Sequence, residues 1–127
     1  MSDLVTETSL TLERAYAAHQ QWKVRLQESV NAHSELDVAT IRRDDCCELG
    51  KWLHSDGGSA YGHKPEFKSL LAKHASFHLV ASVVAGIINT RQYEEASAML
   101  QDFSLFSTAS AEVGMAIMAL KRAAGKK

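Results

Sequence analysis

Two histidines, His74 and His78, lie four residues apart in the segment LLAKHASFHLVA. On a helix that spacing is about one turn, so both imidazoles project from one face and can meet a single ion. A third histidine sits in AHQQW (His19), and a thiol heads the segment CELGKW, where Cys46 and Cys47 are neighbours. Neutral imidazole nitrogen and thiolate sulfur are the donors that a borderline-soft zinc ion accepts. Three histidines and one cysteine close a tetrahedron and leave no open position for water or substrate. No carboxylate stands in a helical motif that would make it a general base, so the expectation is a zinc site without enzyme activity.

Helices must position these residues. A single proline, few glycines and long runs of 3.6-residue apolar periodicity point to an all-α chain. The first helix is expected from about Thr8 to about His33, with Leu12, Tyr16, His19, Trp22, Leu26 and Val30 on one inward stripe and Glu13, Gln20 and Gln27 outside. Pro65 suits the first turn of another helix, which carries Phe67, Leu70, Leu71, His74, Phe77, His78, Ala81, Val84 and Ala85 to about Ile88. A turn near Asn89 and Thr90, with Asn89 and Gln92 as a capping box, starts a last helix bearing Tyr93, Leu100, Phe103, Phe106, Val113, Ile117 and Leu120 and stopping at Gly125.

The stretch between is less regular. Asp45 followed by Glu48 reads as the N-cap of a short helix ending near His54 or Ser55, before the breaker-rich DGGSAYGHKP. Cys47 would then lie in the first turn, where amide donors and the helix dipole stabilise a thiolate and lower the thiol pKa. Gly50 inside this helix implies a close helix contact. The helical wheel does not choose between the thiols: Cys46 shares a face with Leu49, Gly50 and Leu53, and Cys47 with Gly50, Lys51 and His54.

The 127 residues suit one domain, residues 1–127 with a core of about 8–122. A net charge of −1 gives no reason to bind nucleic acid or an anionic membrane, and the basic KRAAGKK complements a helix C-terminus. No stretch reads as long and apolar enough to span a bilayer, and MSDLVTETSL carries acids where a secretory signal has a basic start. The expectation is a cytoplasmic protein. Two adjacent cysteines make no disulfide framework and favour ligation or thiol chemistry.

Taken together, H-x-x-W (His19 to Trp22), C-x-L-G-x-W (Cys47 to Trp52) and H-x-x-F-H (His74 to His78), in this order and separation, resemble the bacterial chemoreceptor zinc-binding (CZB) domain over roughly Leu12 to Leu120. The resemblance implies a four-helix bundle, with a short additional helix carrying the cysteine, and zinc held by His19, Cys47, His74 and His78. It also implies a cytoplasmic sensor of zinc or of oxidants such as hypochlorous acid, commonly a homodimer, attached to chemoreceptors or diguanylate cyclases or standing alone. With no output domain in these residues, a signal passes through dimerisation or a partner. Cys47 is then the redox-reactive residue, and Cys46, a departure from the pattern, is a small core residue or a resolving thiol.

Plainer readings stand beside these. A lone inward histidine is most often a hydrogen-bonded core residue, but two on one apolar face would cost several kcal/mol of desolvation unless something ordered, such as a shared cation, satisfied them. His33, His54 and His63 fall at helix ends or in loops and read as solvated or capping. Trp22 and Trp52 read as core packing near the site. Asp44 or Asp45 could instead accept from a ligand imidazole, although a capping role is favoured. A permanently held structural zinc in a dimeric module would use the same ligands. A histidine phosphotransfer module needs an exposed helix histidine, and a di-iron oxygen carrier needs more histidines and inward carboxylates. Apolar residues on more than one side of the last helix, near Leu105, Phe106, Ala109, Val113, Met115, Ala116 and Met118, suggest a homodimer surface, and the small Ala111 and Gly114 permit close approach.

Overall fold

The computed structural model describes residues 3–125, so residues 126 and 127 of the basic tail lie outside the described part. Among the described residues the chain is all-helical, with three long helices and four short ones. α1 spans Asp3–Ala32, α5 Pro65–Asn89 and α7 Leu105–Ala124. Between them lie α2 (Val38–Arg42), α3 (Glu48–Leu53), α4 (Asp56–Tyr61) and α6 (Tyr93–Met99).

α5 is the central helix: α7 packs along it, and α1, α2 and α6 lean on it as well. That position explains its composition. Contrary to the sequence expectation, α5 is long and apolar enough to cross a membrane by length and composition alone, because a helix with neighbours on several sides carries little polar surface. Its buried residues include Phe67, Leu70, Phe77, Ala81, Val84, Ala85 and Ile88, along with both histidines. Pro65 opens it, where a missing N–H costs nothing. The α1 stripe faces it, with Leu12, His19, Trp22, Leu26 and Val30 buried.

Several boundaries differ from the sequence reading. α1 begins at Asp3, so Thr8 is interior, and its hydroxyl hydrogen-bonds the Tyr61 hydroxyl at 2.9 Å, tying α1 to α4. The expected last helix is divided in two. Phe103, expected in the core, sits in the connection at φ 68° and is 99% exposed, while Ser104 caps α7 by accepting from the Ser107 N–H. Asn89 makes no capping box. Its amide instead pairs with both backbone groups of Leu36, at 2.9 and 2.8 Å, pinning the α1–α2 connection to the end of α5.

The short helices follow from local contacts that periodicity does not report. α2 is capped by Asp37, which accepts from the Thr40 N–H. α4 forms across two glycines because Trp52 lies where a Gly57 side chain would be, within 2.7 Å of an ideal Cβ, so the indole seals that turn. Gly50 answers to a contact with its own chain rather than with another helix: a Cβ there would stand 1.9 Å from the Asp44 carbonyl oxygen. This approach folds residues 44–47 back over the start of α3.

In an exposed helix Gly→Ala stabilises by up to about 1 kcal/mol. At Gly50 the sign should reverse, with Gly50→Ala costing about 1–3 kcal/mol because the obstructing atom is backbone. Chemical denaturation of the two proteins checks this, and an alanine variant as stable as the parent would show that the loop yields freely.

Candidate metal centre

Each of the four sequence-predicted donors reaches one spot between α1, α5 and the start of α3. The i, i+4 pair on α5 brings His74 Nε2 and His78 Nε2 within 3.0 Å of each other. The Cys47 sulfur lies 3.2 Å from the first and 3.6 Å from the second. His19 enters from α1, its ring 5.0 Å from that of His74 and 5.9 Å from that of His78. No two donor atoms of His19, Cys47, His74 and His78 are more than 4.8 Å apart. In a tetrahedron built on the usual zinc–nitrogen bond length, neighbouring nitrogens stand about 3.4 Å apart, so the spacing suits one ion.

Backbone carbonyls set the ring orientations. His19 Nδ1 donates to the Ala15 carbonyl at 3.0 Å, which leaves Nε2 for the site. His78 Nδ1 donates to the Ile41 carbonyl at 2.8 Å. Ile41 is next to last in the five-residue α2, so its carbonyl has no partner further along that helix and is free to accept. Such contacts fix the tautomer of a ligating imidazole. Neither was read from the sequence; the Ala15 contact, one turn before His19, could have been, whereas the Ile41 contact needs the tertiary fold. The acids expected as possible partners act elsewhere. Asp45 holds Arg43 through two contacts of 3.0 and 3.1 Å, and Asp44 pairs with His54 at 3.2 Å.

Cys47 departs most from expectation. The N-cap of α3 is Cys47 itself rather than Asp45, and its sulfur accepts from the Gly50 N–H at 3.3 Å. The amides of Gly50 and Leu49 favour a thiolate, but burial outweighs them and pushes the Cys47 thiol above its ordinary value, where a lowered one was expected. Cys46 makes a long contact of 3.6 Å with the Asp45 carboxylate and is half-buried. Trp22 is buried with its ring 5.9 Å from His78, and Phe77 closes the other side, 5.2 Å from His19. Trp52 packs instead on Gly57 and Tyr61. His33, His54 and His63 are exposed; His33 stacks on Tyr93, and His54 caps α3.

Burial dominates the electrostatics. It pushes His19 down to about 4, and His74, which also faces His78 and His19, down to about 2. Burial lowers His78 too, against the opposing pull of its bond to Ile41. All three imidazoles are therefore neutral at pH 7, each with a lone pair to give. His19 Nε2 and His74 Nδ1 are buried without a hydrogen-bond partner, and an unmet buried polar atom costs about 1–3 kcal/mol. A cation shared by the four donors would engage the His19 nitrogen and compensate the thiolate, so the residues fit zinc. The His74 Nδ1 would remain without an acceptor.

Compared with known families, the model for the chemoreceptor zinc-binding domain matches residues 19–85, more than half of the chain and a stretch that holds all four donors. No curated protein and no solved structure matches.

The depressed histidines make the metal-free fold acid-sensitive. The unfolded chain takes up protons near pH 6.5, while folded His19 resists until about 4 and His74 until about 2. Below 6.5 the unfolded state binds more protons, so stability falls as pH is lowered through this window. Urea midpoints of chelator-treated protein should drop steadily from pH 6.5 to about 4; a flat profile would mean that the rings are not buried in solution.

Proposed function

The chain belongs to the chemoreceptor zinc-binding domain family, and from that footing we propose that it is a cytoplasmic sensory or regulatory domain whose zinc ligands are His19, Cys47, His74 and His78. The observation that carries this reading is the meeting of four donors from three separate elements within 4.8 Å, inside a core where His74 is fully buried. We read α1, α5, α6 and α7 as the helices of a four-helix bundle, α6 and α7 following one another along α1, with α3 as the additional helix that supplies the sulfur. Zinc bound there would hold the sulfur as a thiolate and tie α1, α3 and α5 together.

Zinc has no redox chemistry of its own, so the ligating sulfur is the atom an oxidant attacks. Oxidation of Cys47, by hypochlorous acid for example, removes one of four ligands and leaves three imidazoles to hold the ion. It also changes the cap of α3, because the Gly50 N–H is bonded to that same sulfur. α3 then loosens from α5, which is the conformational signal. Zinc level is the other input the site supports, since Cys47 must lose a proton to bind, and affinity therefore rises with pH. The burial of His74 and His78 speaks against a phosphotransfer role, which needs an exposed ring.

We further propose a homodimer and a signalling partner such as a chemoreceptor or a diguanylate cyclase. Within the apolar set on α7, Phe106, Ala109, Val113 and Ala116 are buried in the chain itself, whereas Leu105, Met115 and Met118 are exposed. These three, with Phe103 beside them, form the face offered to a second copy. Light scattering should report a dimer at micromolar concentration, weakened at least tenfold by combined Leu105→Glu and Met115→Glu, since two buried charges cost more than about 1.4 kcal/mol. A strict monomer would remove this part of the proposal.

Elemental analysis tests the site itself. Protein purified without chelators should carry stoichiometric zinc, and Cys47→Ala or His74→Ala should lower affinity by more than the roughly 10–100-fold typical of losing a supporting contact. Hypochlorous acid should release zinc from the parent at concentrations that leave a purely structural zinc protein loaded. Absence of stoichiometric metal, or a Cys47→Ala protein that binds as tightly as the parent, would overturn the assignment.

A further inference from the structure

Cys46 contributes nothing to the donor set, yet it opens onto the same space as Cys47. A cavity of about 320 Å³ lies between α1, α2 and the segment entering α3, and both cysteines line it together with Trp22, Arg25, Arg43 and His78. Both thiols are free and half-buried. A ligand sulfur at the wall of an open cavity is reachable by a small oxidant, and the neighbouring thiol shares that access. The Cys46 sulfur is also loosely held, 3.6 Å from the Asp45 carboxylate.

Resting on the oxidation reading of Cys47, we propose that Cys46 is the resolving thiol of the site and that the two neighbours form a reversible vicinal disulfide. A two-electron oxidant such as hypochlorous acid transfers its oxygen as hydroxyl to the Cys47 thiolate, giving a sulfenic acid and chloride. The Cys46 sulfur then attacks the Cys47 sulfur. The S–O bond breaks, the S–S bond forms, and the departing hydroxide takes the Cys46 proton as water. Adjacency makes this step intramolecular, so it outruns encounter with a second oxidant molecule that would carry Cys47 to the irreversible sulfinic acid.

Strain gives the product its reversibility. Adjacent Cα atoms stand about 3.8 Å apart across a trans peptide, closer than the roughly 4.4–6.8 Å that a relaxed disulfide spans. Strained disulfides are the readily reduced ones. The bond also turns the Cys47 sulfur toward Cys46 and away from the Gly50 N–H, so the ligand and the α3 cap are lost in one event and regained together on reduction.

The test compares the full zinc-loaded chain with its Cys46→Ala and Cys46→Ser variants, each given one equivalent of hypochlorous acid, alkylated, and read by intact mass, non-reducing gel and zinc release. The parent should lose two hydrogens, resist alkylation at both thiols, run as an uncrosslinked chain, and recover thiols and zinc binding with dithiothreitol. Both variants should release zinc to the same extent but accumulate oxygen adducts on Cys47 and recover zinc binding several-fold less well. Zinc release from the parent with only oxygen adducts, or with a crosslinked pair of chains, would overturn the resolving role and leave the sensing reading intact. No oxidation and no zinc release in any of the three proteins would end both.

Discussion

Desolvation of polar donors is the constraint on which this structure turns. Three imidazoles are withdrawn from water at one point of an otherwise apolar core, with a half-buried thiol beside them. Burial, with the mutual repulsion of the rings, holds the rings neutral, and burial keeps the thiol protonated. An unpaired buried polar group is expensive, and a packed core offers few ways to move one. Here two ring nitrogens face carbonyls and two have no partner. A shared cation inverts the balance, since the features that make the empty arrangement costly, neutrality and crowding within 3.0–3.6 Å, are what a tetrahedral ion needs. The folding of this core and the binding of metal are thus one problem.

The helices divide that problem unequally. α5 supplies two donors on a rigid spacing and is packed on by α1, α2, α6 and α7, so His74 and His78 are placed by the most constrained element. α1 supplies His19 from a long inward stripe. The sulfur comes from the head of a six-residue helix that could not persist alone. That helix is held by the close passage of Gly50 under the Asp44 carbonyl and by the sulfur that caps it. A change at the site therefore reaches α3 long before it reaches α5.

How far this was legible follows the same division. Periodicity located α5 to within a residue of its end, placed Pro65 at its start and turned His19, His74 and His78 inward. It failed where structure is set by single contacts. α2 and α4 are too short to show a period, and α4 looks like a loop until Trp52 is seen covering Gly57. The last helix carries a continuous apolar pattern across a break that only Ser104, as a cap, could have announced. Phe103 was misplaced for that reason: at φ 68° it breaks the helical path, so the facing that an unbroken period assigns to it is lost and it stands in solvent.

The helical wheel could not separate Cys46 from Cys47 because it asked which face of a helix each occupies, and neither is in the helix. Cys47 has extended backbone angles, φ −82° and ψ 165°, and stands at the N-cap, a position whose side chain folds over the first turn instead of pointing along a face. The expected Asp45 cap would have put both thiols inside the first turn and left ligand choice to facial polarity. With Cys47 as the cap, its sulfur lies over exposed amides and beside both α5 imidazoles at once. The charge of the sulfur then bears on both partners: a thiolate strengthens the cap and the ligand bond, and a sulfur bonded to oxygen or to another sulfur weakens both. Coupling between the chemistry of one atom and the order of α3 thus needs no longer pathway than the 3.3 Å between Cys47 and Gly50.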